Sequence, residues 1–74
     1  MKIALRATSH LAKFVPASGK VDVEEGSKVD DLLRVLGIDS DLVMLIVVSG
    51  KLGGLDTPLS NGIEVELIPP ISGG

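Results

Sequence analysis

The sequence predicts an α+β fold, a mixed sheet of four or five strands with one main helix packed on one face. Three observations lead there. Apolar residues alternate with polar ones near the start of the chain (Ile3, Leu5, Ala7) and again near its end (Ile63, Val65, Leu67), the period of half-buried strands. Between them Val29, Leu32, Leu33 and Leu36 recur at i, i+3, i+4 and i+7, the stripe of one amphipathic helix. Clusters of Gly, Pro, Ser and Asn separate these segments. The 74 residues carry no repeat and no linker, so one domain over 1–74 is expected, with a flexible tail over about 69–74.

Each element has its own signal. The first strand sets Ile3, Leu5 and Ala7 on one side and Lys2, Ala4 and Arg6 on the other. "TSHLAKFVPASG" breaks the alternation with Pro16, Ser18 and Gly19 and reads as a long loop. A second strand, Lys20 to Glu24, alternates Val21 and Val23 with Asp22 and Glu24 and completes an opening hairpin. Ser27 is then placed to cap the helix, with Asp30 three residues on as an acidic form of the capping box. Gly37 ends it after about three turns, and Lys28, Asp31 and Arg34 form its solvated face. "DLVMLIVVSG" is too short and too apolar for a second surface helix and reads as a buried central strand. "SGKLGGLDTPLSNG" is rich in turn formers and holds at most one short strand near Lys51 to Leu55, before the last strand, Ile63 to Ile68.

A right-handed strand–helix–strand crossover then puts the first and last strands side by side in the middle of the sheet, the β-grasp (ubiquitin-like) arrangement. Because one helix covers one face only, alternate side chains of the run Leu42 to Val48 turn away from it. Either Val43, Leu45 and Val47 or Met44, Ile46 and Val48 face outward, joined by Ala4 and Ile68. An apolar outer face on so small a domain is either covered by the loop over residues 8–19 or docks a partner protein. The docking expectation falls on Met44, Leu45, Ile46, Val48 and Ile68, with Lys2, Arg6, Glu64 and Glu66 at the rim.

Composition narrows the function. Hydrophobic residues make up 45% of the chain and the mean hydropathy is +0.45, with Phe14 the lone aromatic, so the core is built from Val, Leu, Ile and Ala. With no cysteine there is no disulfide and no thiolate metal or redox site, and a single histidine, His10, does not make a metal site. A net charge of −3, a pI near 4.8 and no Lys/Arg cluster argue against nucleic acid as a direct ligand. The longest apolar run, Leu42 to Val48, is far below the roughly 18–20 residues that span a bilayer, and "MKIALRATSH" has no apolar signal segment. A soluble cytoplasmic protein without membrane association is therefore expected.

No catalytic constellation emerges. Ser18–Gly19–Lys20 is similar to the end of a phosphate-binding loop, but Phe14 stands where its first glycine belongs and a strand follows instead of a helix. The acidic pairs Glu24/Glu25, Asp30/Asp31 and Asp39/Asp41 have no His or Arg close in sequence for acid–base work and read as solvated charge. Ser49 and Ser72 lack a base to activate them, and His10 reads as a surface-loop histidine. The distinctive group is the carboxylate of Gly74, carried on "PPISGG". Pro69 and Pro70 restrict the chain as it leaves the sheet. From Pro69 to Gly74 an extended tail reaches roughly 20 Å, and Gly73 and Gly74 let it pass where any Cβ would clash.

With the helix "SKVDDLLRVLG", the turn "VVSGK", the segment "DTPLSNGIEVELIPP" and the ending "SGG", nearly the whole chain resembles the ubiquitin-like sulfur carriers of the MoaD/ThiS type. "IPPISGG" looks more like MoaD, the small subunit of molybdopterin synthase, than ThiS of thiamine synthesis. The chain departs from the pattern in having Ile63 after "NG", where an acid is common, and Ser49–Gly50 where "NG" is typical. The resemblance implies a carrier that is not itself an enzyme and binds no tight cofactor. Its partners would be a ubiquitin-activating-type adenylyltransferase that uses ATP, a sulfur donor and an acceptor such as a molybdopterin synthase large subunit. It also implies that Gly74 carries the adenylate, the sulfur or an isopeptide bond, that Gly73 gives clearance, and that Ser72, Ile71, Pro70 and Pro69 present the tail. Thiamine synthesis and transfer RNA thiolation stay open as pathways, as do a protein-modifier role and, from a different class, a non-covalent interaction module working through the outer sheet face.

Overall fold

A computed structural model describes residues 1–71 of the chain. Five strands form one sheet: β1 (Lys2–Ala7), β2 (Lys20–Asp22), β3 (Leu45–Val48), β4 (Lys51–Gly53) and β5 (Glu64–Ile68), in the order β2-β1-β5-β3-β4. β1 and β5 run parallel at its centre, with Leu5 opposite Val65 and Arg6 opposite Glu66, and every other pairing is antiparallel. This is the expected β-grasp order. The central strands bury one side completely: Ile3, Val65 and Leu67 expose nothing and Leu5 almost nothing. Helix α1 (Val29–Leu36) brings Val29, Leu32 and Leu33 onto that side, where they join one core with Val21, Ile46 and Val48. Each such side chain contributes roughly 1.5–3 kcal/mol by leaving water.

The helix ends as the sequence implies and begins differently. Gly37 adopts φ 75° and its N–H bonds back to Arg34 and Leu33, a left-handed C-cap that a glycine takes without strain. At the other end Lys28, not Ser27, is the N-cap, and its backbone N–H donates to the Asp31 carboxylate at 2.9 Å. The next orphan donors are satisfied by a distant backbone. Val29 N–H donates to the Thr57 carbonyl and Asp30 N–H to that of Leu55, both at 3.0 Å, while Leu59 N–H returns a bond to the Ser27 carbonyl. The long turn-rich segment before β5 is thus fastened to the helix start, with Leu59 buried beneath it.

Several boundaries move and an element is added. β2 ends at Asp22 instead of Glu24, although buried Val23 carries the pairing one residue further by donating its N–H to the Met1 carbonyl at 2.9 Å and accepting from the Met1 amine at 2.7 Å. The apolar run starts as strand only at Leu45. Ahead of it Ser40–Leu42 make a 3-10 turn, which Asp39 caps by accepting from Asp41 N–H at 2.9 Å. The segment after β1 is not plain loop either: Ser9–Phe14 wind into a 3-10 helix that drives Leu11, fully buried, into the core on the helix side. Because it fills the core there, this segment leaves the opposite face of the sheet open.

Candidate functional site

The end of β5 positions the tail. β5 is the middle strand, held on both sides, and its last ladder bond runs from Met44 N–H to the Ile68 carbonyl at 2.8 Å. Pro69 and Pro70 have no N–H to continue the ladder, so the sheet stops there for a covalent reason. Pro69 is buried, Pro70 exposed, and Ile71 stands 91% exposed. The chain therefore leaves an anchored proline and points into solvent within two residues. Gly74, Gly73 and Ser72, the core of the sequence-based site, lie outside the described residues.

Parallel pairing of β1 and β5 brings their C-terminal ends to one edge of the sheet. Thr8, Ser9 and His10, which follow β1, consequently face Pro69, Pro70 and Ile71 across a concavity of about 330 Å³. His10 is exposed, as a surface-loop residue should be, but its place beside the tail root is new. No local signal in the sequence marks it, since the neighbours are some 60 residues apart and meet only through strand pairing.

The sheet face turned away from the helix is partly apolar. Its side chains follow from the register: Leu52, Val47, Glu66 and Arg6 form one row across β4, β3, β5 and β1, and Leu45 and Ile68 form the next. Met44 and Leu52 are 64% and 73% exposed, Leu45 42%. Arg6 and Glu66 close the row with an ion pair at 3.4 Å that, exposed as it is, contributes little to stability. The docking expectation needs correction at two positions. Ile46 and Val48 are each only 7% exposed and belong to the core, because the strand's alternation turns them toward α1 and leaves Leu45 and Val47 outside. Leu52 was missed by sequence reasoning; a three-residue strand is too short to display a period.

No group of three His, Asp or Glu residues converges on a possible metal position among the described residues, and no described helix is long and apolar enough to cross a membrane. The acidic pairs sit on turns and at the helix start, where Asp30 accepts from Arg34 at 3.0 Å across one helical turn.

The sequence model of the ThiS family matches residues 9–74. Solved structures share the fold at low identity. SAMP1 from Haloferax volcanii superposes with a TM-score of 0.74 at 23% identity over 100% of both chains. A putative molybdopterin converting factor subunit 1 from Pyrococcus furiosus gives 0.73 at 20%, covering 96% of this chain and 99% of its own. A complex of subunits 1 and 2 of the molybdopterin-converting factor from Helicobacter pylori gives 0.59 at 22% over 100% of both chains.

Proposed function

Because the chain belongs to the ThiS family, we propose that it is a sulfur carrier whose C-terminal carboxylate, on Gly74, is activated by one partner and delivered to another. The observation that carries this reading is the geometry of the tail root. The sheet's central strand ends in one buried and one exposed proline, and the chain then faces solvent at Ile71 with only small residues to follow. Such a root holds its base still while the last residues enter another protein's active site.

The chemistry needs two steps. A carboxylate is a poor electrophile because oxide is a poor leaving group. Attack of the Gly74 carboxylate on the α-phosphorus of ATP, in an adenylyltransferase of the ubiquitin-activating type, forms an acyl–phosphate bond and expels pyrophosphate. Hydrosulfide, or its equivalent from a donor protein, then attacks the carbonyl carbon, AMP leaves, and a thiocarboxylate remains. This chain supplies the terminal glycines, and its clearance comes from the absence of any Cβ at Gly73 and Gly74. It supplies no acid or base for either step, and the ATP belongs to the partner.

The apolar outer face, Leu45, Val47, Leu52 and Ile68, is the docking surface in this reading, with exposed Met44 just ahead of it in the chain and Arg6 and Glu66 beside it. Its proximity to the tail lets one partner hold the face and reach the terminus together. The ending "IPPISGG" favours molybdopterin synthesis as the pathway. The Helicobacter neighbour is a subunit 1 bound to a subunit 2, which supports a larger acceptor subunit as the second partner. The chain works as one domain in the cytoplasm, where ATP and a reduced sulfur source are at hand.

Intact mass of the protein isolated gently from its native cell is the test. Replacement of one terminal oxygen by sulfur establishes the carrier, and a protein conjugate through Gly74 establishes a modifier instead. A terminus found only as free carboxylate, with no adenylate formed when the cognate adenylyltransferase and ATP are added, returns the protein to a non-covalent interaction module. Deleting Gly73 and Gly74 separates the same alternatives in the cell: a carrier loses all function with its melting curve unchanged, and an interaction module loses none.

A further inference from the structure

The concavity beside the tail root is polar on one wall and apolar on the other. Ser9 is one of two described non-glycine residues with positive φ, at 56°. This left-handed conformation costs a residue with a Cβ roughly 1–2 kcal/mol. Thr8, at the N-cap position of the 3-10 helix, makes no capping bond with its side chain. Thr8, Ser9 and His10 are all exposed, so two hydroxyls and an imidazole stand at the rim of a recess whose other wall is Pro69, Pro70 and Ile71. No Asp or Glu lines it among the described residues, on a chain that carries ten acids against seven Lys and Arg.

Geometry puts this recess under any enzyme that closes on the terminus. Gly74 lies three residues beyond Ile71, a reach of at most about 11 Å. A stable interface covers roughly 800 Å² on each partner, a patch about 30 Å across. A patch that wide, placed within that reach of Ile71, includes the recess. Ile68 lines the recess and also pairs with Leu45 on the outer face, so the two surfaces are continuous.

We propose that the recess is a second recognition site for the activating enzyme, seating a loop that carries a carboxylate beside an aliphatic side chain. This rests on the carrier reading above. The carboxylate faces Thr8, Ser9 and His10, where hydroxyl and imidazole N–H groups donate to it. The aliphatic group packs on Pro70 and Ile71, whose apolar surface otherwise stands in water. The site selects the partner and takes no part in the chemistry. Its loss accordingly weakens binding of the carrier and leaves turnover alone.

The experiment is steady-state adenylation of the full chain by its cognate adenylyltransferase, read as pyrophosphate release over a range of carrier concentrations, with the thermal unfolding of each variant as control. His10→Glu sets a like charge against the partner's carboxylate, and KM rises about tenfold or more with kcat within about twofold. His10→Gln keeps a donor and stays within about threefold of the parent in KM. Ile71→Asp, on a side chain too exposed to affect folding, raises KM as His10→Glu does. Lys28→Gln, the same change in net charge at the helix start, leaves KM unchanged and so separates a local effect from a global one. KM within about twofold for both His10→Glu and Ile71→Asp overturns the proposal, and so does an equal loss in His10→Glu and His10→Gln, which would mean that the ring's shape and not its hydrogen bond matters. If the unmutated chain forms no adenylate, the carrier reading itself fails and this site goes with it.

Discussion

Ser49 is the residue at which sequence and conformation disagree most plainly. Val48 pairs with Lys51, so Ser49 and Gly50 form a two-residue hairpin loop, with φ 52° and 78°. Positive φ at both positions is the type I′ turn, which suits the twist of the flanking strands and favours Asn followed by Gly. Gly50 meets the requirement and Ser49 does so under strain. Ser49→Asn is therefore expected to stabilise the protein by about 0.5–1 kcal/mol, since Asn tolerates the left-handed region far better than Ser. Urea denaturation decides it: a midpoint that rises with unchanged slope supports the strain argument, and one that falls contradicts it.

At the scale of elements, the start of α1 is the instructive case. "SKVD" offers Ser27 as a cap with Asp30 behind it. The observed cap is one residue later, Lys28 with Asp31, and the Val29 and Asp30 donors are met by carbonyls of residues 55–57. A side-chain cap is thus partly replaced by tertiary backbone bonds, which no local pattern announces. Asp31→Ala removes both the acceptor for Lys28 N–H and a negative charge near the helix N-terminus, and is expected to cost about 0.5–1.5 kcal/mol. Ser27→Ala stays within about 0.5 kcal/mol, because the Ser27 contribution is its backbone carbonyl, which alanine retains. Thermal unfolding of the two variants checks the order, and a larger loss at Ser27 would restore the cap to the earlier position.

For the molecule as a whole, the sheet has a face that packs the core and a face open to solvent. Leu45 and Ile46 are adjacent in sequence and lie on opposite sides. Ile46→Asp places a carboxylate in a core with no partner for it, at a cost of several kcal/mol, a large share of the stability of a domain this small. It is expected to unfold. Leu45→Asp adds its charge at a side chain already 42% exposed, and the expected result is a melting temperature close to the parent's with adenylation by the partner lost. Circular dichroism and an adenylation assay on both proteins read the contrast; a folded Ile46→Asp would break the assignment of faces, and a fully active Leu45→Asp would break the docking role proposed for the outer one.

The sequence by itself determined the element order, the helical stripe, the strand alternation, the proline stop and the glycine ending. These are local matters, fixed by the period of side chains along one segment and by the covalent limits of Pro and Gly. It also carried the resemblance to the carrier family, through motifs spread along the chain. It left open which side of the run Leu42 to Val48 faces out, because a continuous apolar run has no polar residue to mark the solvent side. The tertiary structure decided that, by pairing Leu45 with Ile68 and setting Ile46 against the helix. It decided also that Leu11 fills the core, that Leu55 and Thr57 cap the helix, and that His10 stands beside the tail root. Each of these joins residues far apart along the chain, and the place of His10 in particular exists only once parallel β1 and β5 have brought the two ends of the chain together.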